Sequence, residues 1–338
     1  MPSMRAVLLT GHGGFECLSI RDDVPQPVAG VGEVLVRVGA AGVNNTDINT
    51  RVGWYAGGGW TGTFHFPRIQ GIDACGEVMA AGCSAGQHLL GQRVLVEPCW
   101  RSPEQLISAA RFFGSEVDGA FAEYAVVPAR HAHAINSELS DVALASFPCS
   151  YSTAENMLTR VDVHRGSRVL VTGASGGVGG AAVQLAAARG AVVSAIANRS
   201  SHTTLHGLGA TKLIDRGVDP ATEFGENTFD AVIDVVGGDN WAALLRVLRP
   251  GGHYATAGAV SDAHVALDLR TLYLKDITMH GCTVLDDGVF AALVGRIERG
   301  EVRPLVAATY SLAEIVAAQQ HFLAKGFVGK IVLQVAEI

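Results

Sequence analysis

The segment RVLVTGASGGVGGAAVQLAAARGA, residues 168–191, decides the fold. An apolar run, Arg168 to Thr172, enters a glycine-rich turn and then an alanine- and leucine-rich stretch of helical length, Gly177 to Arg189. That order of strand, tight turn and helix is a dinucleotide-binding pattern, with Ala174, Gly176 and Gly179 at its key positions. Gly176 lets the backbone approach a pyrophosphate, and Gly179 permits close packing of helix on strand. With Ser175, Gly177 and Val178, they form a turn whose unpaired N–H groups face a bound anion. Ala174 departs from a strict G-x-G-x-x-G. No lysine follows Gly179, which argues against a nucleotide-triphosphate P-loop. Val169 to Ala188 carries no charge, but its five glycines and its Thr172, Ser175 and Gln184 fit a strand, turn and helix better than a membrane span.

Beyond this segment, strand-like runs alternate with helical ones. Val192 to Ala197, Lys212 to Asp215, Phe229 to Val235, His253 to Ala257 and Ile277 to His280 read as strands, and Asn240 to Leu248 as a helix. Six strands with crossover helices predict an α/β doubly wound parallel sheet, covered on both faces. The first 130 residues instead read as β runs punctuated by glycine. Phe290 to Arg299 and Leu312 to Leu323 read as helices. Gly329 to Val335 reads as a last strand, expected to pair back into the N-terminal part.

The end of the second strand of the parallel sheet selects the cofactor. Ile196-Ala197-Asn198-Arg199-Ser200-Ser201 holds no acid. A carboxylate there would bind ribose hydroxyls and repel a 2′-phosphate. Arg199 can pair with that phosphate, and Asn198 and Ser200 can donate to it. The expectation is NADPH/NADP rather than NADH, against the plainer reading of Arg199 as a solvated loop charge.

Over 338 residues, 49% hydrophobic content and 17% charged residues predict a large buried core in about two domains. The net charge of −7 argues against a general nucleic-acid binder. The six cysteines include no CxxC pair, and a disulfide framework is not expected. The N-terminal apolar run is too short for a signal peptide, so the expectation is a soluble, cytoplasmic protein without a membrane partner.

In its motifs the chain resembles the medium-chain dehydrogenase/reductase superfamily, and within it the quinone oxidoreductase, zeta-crystallin-like branch. The resemblance runs through GVNNTD (42–47), GIDACGEV (71–78), DGAFAEYAVVP (118–128), the glycine turn, FDAVIDVVGG (229–238), LRPGGHYATAG (248–258), LYLKDITMHG (272–281) and VGKIVLQV (328–335). It implies a Rossmann NADP-binding domain at 150–285 and a GroES-like, mostly-β catalytic domain made of 1–149 and 286–338. It also implies a homodimer, or a tetramer, with edge strands near Ile277 to Gly281 pairing across the dimer.

The resemblance carries roles onto individual residues. Asn44 is implied as a donor to the acceptor oxygen, against a capping role. Thr46 stands where the zinc enzymes of the superfamily carry a proton-relay hydroxyl. Tyr55 is implied near substrate, against a packed aromatic lid, with Trp54, Trp60 and Phe64 shaping an apolar pocket. Asp47 and Asp73 are read as loop organisers. Thr153, Gly237, Ala257, Gly258 and Ala259 are implied beside the cofactor, and Lys330 at its phosphates, against a surface strand charge.

Superfamily zinc ligands fall on Asn44, Ile72 and Cys149, with Asp73 at a neighbouring acid position. Ile72 offers no lone pair, so no metal is expected. The segment 98–117 takes the place of a structural zinc lobe but contains one cysteine, Cys99. His131 and His133 are read as ordinary loop or surface histidines. The function implied is NADPH-dependent hydride transfer to a small apolar electrophile, a quinone or α,β-unsaturated carbonyl. A metal-free alcohol or aldehyde dehydrogenase using Thr46 and a non-catalytic cofactor-binding protein remain as alternatives.

Overall fold

The computed structural model describes residues 2–57, 64–102 and 104–336. The chain divides into two compact units. One comprises Met1–Cys149, Pro304–Gly326 and Lys330–Ile338, and the other Ser150–Arg303 with Phe327–Gly329.

The second unit is built on a six-stranded sheet. Its spatial order is Ala210–Ile214, Val192–Ile196, Arg168–Val171, Phe229–Asp234, Leu248–Thr256 and Thr278–Gly281. Every neighbouring pair is parallel. Numbered along the chain this is 3-2-1-4-5-6, the Rossmann order, with its reversal beside the glycine turn. Both faces are covered, and Val169, Leu170, Val171, Val232 and Ile233 have no exposed surface. That is why these strands read as unbroken apolar runs rather than alternating ones.

Two details differ from the sequence reading. The helix expected to run to Leu248 ends at Arg246, and the next strand starts at Leu248 and carries Pro250. Residues 286–303, assigned by resemblance to the outer domain, pack with the parallel sheet. Glu155 binds both Arg296 and Arg189, and Arg160 pairs with Asp286, so charge pairs fasten the helix Val289–Glu298 to this unit.

The first unit holds a mixed, mostly antiparallel sheet ordered Ala132–Ala134, Arg93–Val96, Cys75–Ala81, Glu33–Val43, Lys330–Gln334 and Val306–Ser311, with Tyr124–Pro128 also paired to Glu33–Val43. The C-terminal strand pairs antiparallel with Glu33–Val43, Ile331 opposite Val43, as expected. This register brings Lys330 to the end of the strand from which Asn44 follows. A smaller sheet joins Leu18–Pro25, Ser3–Leu9 and Arg68–Ile69. The 98–117 segment forms a minor hairpin, Cys99–Trp100 against Arg111–Phe112, anchored by the buried Phe113 against Trp100.

Candidate active site

In the parallel-sheet unit, Gly176 caps the helix Gly177–Ala188. A Cβ on Gly179 would stand 2.3 Å from the Gly173 carbonyl oxygen, so only glycine lets the helix lie this close to the strand. On Gly176 it would meet a single atom, Gly173 O at 3.4 Å. The space beside Gly176 is therefore open, as a cradle for a phosphate requires. The first-turn N–H groups of Gly177, Val178 and Gly179 have no partner within the helix. Ala174 is buried and its N–H donates to Ile196 O, so it shapes the turn from within. Ser175 is nearly buried, and its carbonyl accepts from Gly329 N.

Asn198, Arg199 and Ser200 are exposed in a short 3-10 turn after the second strand. The sequence reading overlooked Arg216. It follows the neighbouring strand Ala210–Ile214, and its Nη2 lies 3.5 Å from Ser175 Oγ. A basic residue just after a sheet strand was the available signal.

At the next strand end, buried Asp234 takes hydrogen bonds from Thr172 Oγ1, from Tyr254 OH at 2.6 Å and from the N–H groups of Val236 and Gly237. Burial first, and then Asp234, raises the Tyr254 phenol well above its ordinary range and keeps it protonated as a donor. Gly237 bridges to Asp262, and Val260 and Ser261 donate to Val235 and Val236. The loop carrying Ala257, Gly258 and Ala259 is thereby tied to the end of the Asp234 strand. Thr153 is half-buried on the helix Pro148–Arg160.

The other unit gathers the candidate catalytic residues around the helix Asn45–Val52. Asn44 caps it in extended conformation, and Asp47, three residues on, accepts the Asn44 N–H at 2.7 Å. Asn44 is only 7% exposed. Its Nδ2 donates to Asp73 Oδ2 at 2.8 Å and to Gly42 O at 3.3 Å, and its Oδ1 accepts from Lys330 Nζ. Both amide hydrogens are thus committed inside the protein, which corrects the picture of Asn44 as a free donor.

Lys330 is likewise not a surface charge. It is 3% exposed, and its ammonium sits 2.8 Å from Asp73 Oδ2. Its ammonium is engaged by Asp73 and by the Asn44 side-chain oxygen within this unit. The other oxygen of Asp73 accepts the Cys149 N–H at 2.6 Å.

Thr46 and Tyr55 are half-buried. Burial raises the Tyr55 phenol above its usual range, and its hydrogen bonds with Thr46 and Asn49 offset part of that rise. Trp54 is half exposed, edge-on to Tyr55 at 5.2 Å, whereas Phe64 packs on His12 and Phe66. Trp60 lies outside the described residues. His131 and His133 both bind Glu97 Oε2, at 2.9 and 3.1 Å, and His131 is buried. This corrects their reading as ordinary loop histidines. Burial raises Glu97, and the two imidazoles more than reverse that and hold it below the usual range.

Residues 30–137 match the alcohol dehydrogenase GroES-like domain family, and residues 177–299 the zinc-binding dehydrogenase family. An acryloyl-coenzyme A reductase of Metallosphaera sedula is 30% identical over 98% of this chain and 99% of its own. The chain belongs to the medium-chain dehydrogenase/reductase superfamily. Within it, the chain falls in the quinone-oxidoreductase-like branch. A quinone oxidoreductase of Lama guanicoe is 28% identical over 98% of this chain and 97% of its own. The crystal structure of a putative alcohol dehydrogenase from Sinorhizobium meliloti superposes with a TM-score of 0.93 and 42% identity, covering 99% of this chain and 97% of that one. The protein is thus a hydride-transfer oxidoreductase related to quinone and enone reductases, and its Rossmann unit is a nicotinamide-nucleotide fold.

The superfamily's zinc does not fit the residues present. At the ligand positions stand Ile72, which has no donor atom, and Asn44, whose amide is fully engaged; the Lys330 ammonium already occupies Asp73. A second cation among these groups would meet like charge rather than free ligands. Among the described residues, no three His, Cys, Asp or Glu side chains are grouped to hold a metal ion. No helix among them is long and apolar enough to cross a membrane.

Proposed function

We propose that the protein is a cytoplasmic, NADPH-dependent reductase of quinones or α,β-unsaturated carbonyl compounds. The observation that carries the reading is the Lys330–Asp73–Asn44 cluster standing among the metal-ligand positions. Alcohol and aldehyde chemistry in this fold leans on a Lewis acid to manage charge on oxygen. An electron-poor alkene or quinone needs mainly orientation and a proton donor.

NADPH, when bound, supplies a hydride from its nicotinamide ring. In this reading Gly176, Gly177, Val178 and Gly179 hold the pyrophosphate with backbone N–H groups, with Ala174 and Ser175 shaping the turn. Arg199 and Arg216, with Asn198 and Ser200, take the 2′-phosphate. Thr153, Gly237, Ala257, Gly258 and Ala259 line the rest of the cofactor. The acceptor's electron-poor carbon takes the hydride, and its oxygen takes up the charge. The Tyr55 O–H, backed by Thr46, gives the proton that completes the product, and solvent restores the phenol. The relative named acryloyl-coenzyme A reductase supports an activated alkene, and the relatives named quinone oxidoreductase support a quinone.

A homodimer fits the free end of the parallel sheet. Among the described residues, Thr278–Gly281 is bonded on one side only, and Tyr273 and Leu274, just before it, are 62% and 70% exposed.

Initial-rate assays with NADPH and NADH against a naphthoquinone, methyl vinyl ketone and simple alcohols test this function. Oxidation of NADPH by the first two supports it. Alcohol-dependent reduction of NADP alone would replace it with the dehydrogenase reading.

A further inference from the structure

Three buried charged side chains meet at one residue, Asn44. Asn44 donates its backbone N–H to Asp47 and its side-chain N–H to Asp73, and accepts from Lys330 through Oδ1. Asp47, Asp73 and Lys330 are 2%, 0% and 3% exposed. Two carboxylates and one ammonium sealed together would carry a net charge of −1 if all were ionised, and a low-dielectric interior resists that.

The partners decide which carboxyl keeps a proton. Asp73 has the cation, an amide donor and the Cys149 N–H. Among the described residues, Asp47 is bonded by the backbone N–H groups of Asn44 and Gly71. Burial accordingly pushes Asp47 up to about 7, with Asp73 adding to the rise and Lys330 opposing it. Tyr55 is the other titratable group facing Asp47, with the Cys149 thiol facing Tyr55 in turn. Asn44 also begins the helix that carries Thr46 and Asn49, the two partners of the Tyr55 hydroxyl.

We propose that Lys330 is a positioning residue for the reduction: by neutralising Asp73 and clamping Asn44, it fixes the helix that orients Thr46 and Tyr55. The inference rests on the reductase reading for its kinetic half and on the side-chain cluster alone for its electrostatic half. It also separates two roles for one lysine, since a ligand of cofactor phosphate would act on NADPH affinity and a clamp on turnover.

The test uses the full chain as wild type, Lys330→Met, Lys330→Arg and the double variant Lys330→Met/Asp73→Asn, which removes both charges if the single variant fails to fold. Lys330→Met is expected to lower kcat about 10-fold or more while NADPH affinity, read by fluorescence quenching, changes less than about 2-fold. Lys330→Arg, which keeps the charge, is expected to recover most of that loss. With 13C-labelled aspartate, the Asp47 carboxyl is expected to titrate at higher pH in Lys330→Met than in wild type, and to move back down in the double variant. The inference is overturned by unchanged kcat and an unmoved Asp47 titration, or by a large loss of NADPH affinity with kcat intact. If wild-type protein binds NADPH yet reduces neither quinone nor enone, the reductase reading fails. The Asp47 titration still decides the role of Lys330 in that case: a shift supports it and no shift overturns it.

Discussion

The Lys330 ammonium and the Asp73 carboxylate lie 2.8 Å apart with essentially no solvent access to either. A buried ion pair adds little net stability over apolar packing, but removing one partner strands the other. Asp73→Ala is therefore expected to destabilise the protein by about 3–5 kcal/mol, because it leaves the buried Lys330 charge uncompensated and takes one hydrogen-bond partner from the Asn44 amide and from the Cys149 N–H. Asp73→Asn combined with Lys330→Met is expected to cost distinctly less. Urea denaturation of the three proteins measures both, and equal losses would mean that the pair is not the cause.

Gly176 and Gly179 make opposite demands, and alanine at each separates them. Gly179→Ala puts a methyl group against the Gly173 carbonyl, so the turn must shift. Both thermal stability and NADPH affinity are expected to fall. Gly176→Ala meets nothing closer than 3.4 Å in the free protein, so its melting temperature is expected to hold. Its NADPH affinity is expected to drop about 10-fold or more, because the methyl group enters space reserved for the pyrophosphate. Calorimetric melting with and without NADPH distinguishes the two.

Arg199 and Arg216 are exposed at the ends of adjacent strands. Each charge-assisted contact to a 2′-phosphate is worth about 1.5–3 kcal/mol. Arg199→Ala and Arg216→Ala are each expected to weaken NADPH binding about 10-fold and to leave NADH binding unchanged, as measured by titration calorimetry at fixed salt. Equal losses for both cofactors would place these residues elsewhere than at the 2′-phosphate.

What the sequence made legible followed from local constraint. The strand at 168–171, its turn and its helix are contiguous, and the apolar runs of a sheet buried on both faces announce themselves without reference to partners. The acid-free end of the second strand could be read in the same way. The Lys330 cluster could not, because Lys330 and Asn44 are 286 positions apart and meet only when the last strand pairs beside Glu33–Val43. Nor does local pattern reveal that Asn44 spends both amide hydrogens internally, since its position before the helix fits a donor and a cap equally. Residues 286–303 are not placed by local pattern for a related reason: the contacts that tie them to the parallel-sheet unit come from Glu155, Asn156, Arg160 and Gln184, more than a hundred positions earlier in the chain.

The exposed end of the parallel sheet gives the oligomer prediction. Leu274→Asp with Tyr273→Asp places charge beside the edge strand Thr278–Gly281, where a symmetric partner would add its own strand. Light scattering after size exclusion is expected to show a dimer for wild type and a monomer for the variant. A wild-type monomer at micromolar concentration would remove the dimer from the proposal.

Asp47 ties the stability of the protein to pH. Burial raises its carboxyl from the ordinary range to about 7, so the folded protein keeps a proton that the unfolded chain has already lost between about pH 4 and 7. The unfolded state binds fewer protons across that window, and this group's contribution therefore falls as pH rises through it and levels off above. Asp47→Asn removes the titration while keeping an oxygen to accept the Asn44 N–H. The stability of wild type relative to this variant is expected to decline by on the order of 2 kcal/mol between pH 5 and pH 8. Denaturant midpoints at the two pH values measure it. A difference independent of pH would show that Asp47 is ionised throughout, with the Lys330 charge shared between the two carboxylates rather than held by Asp73.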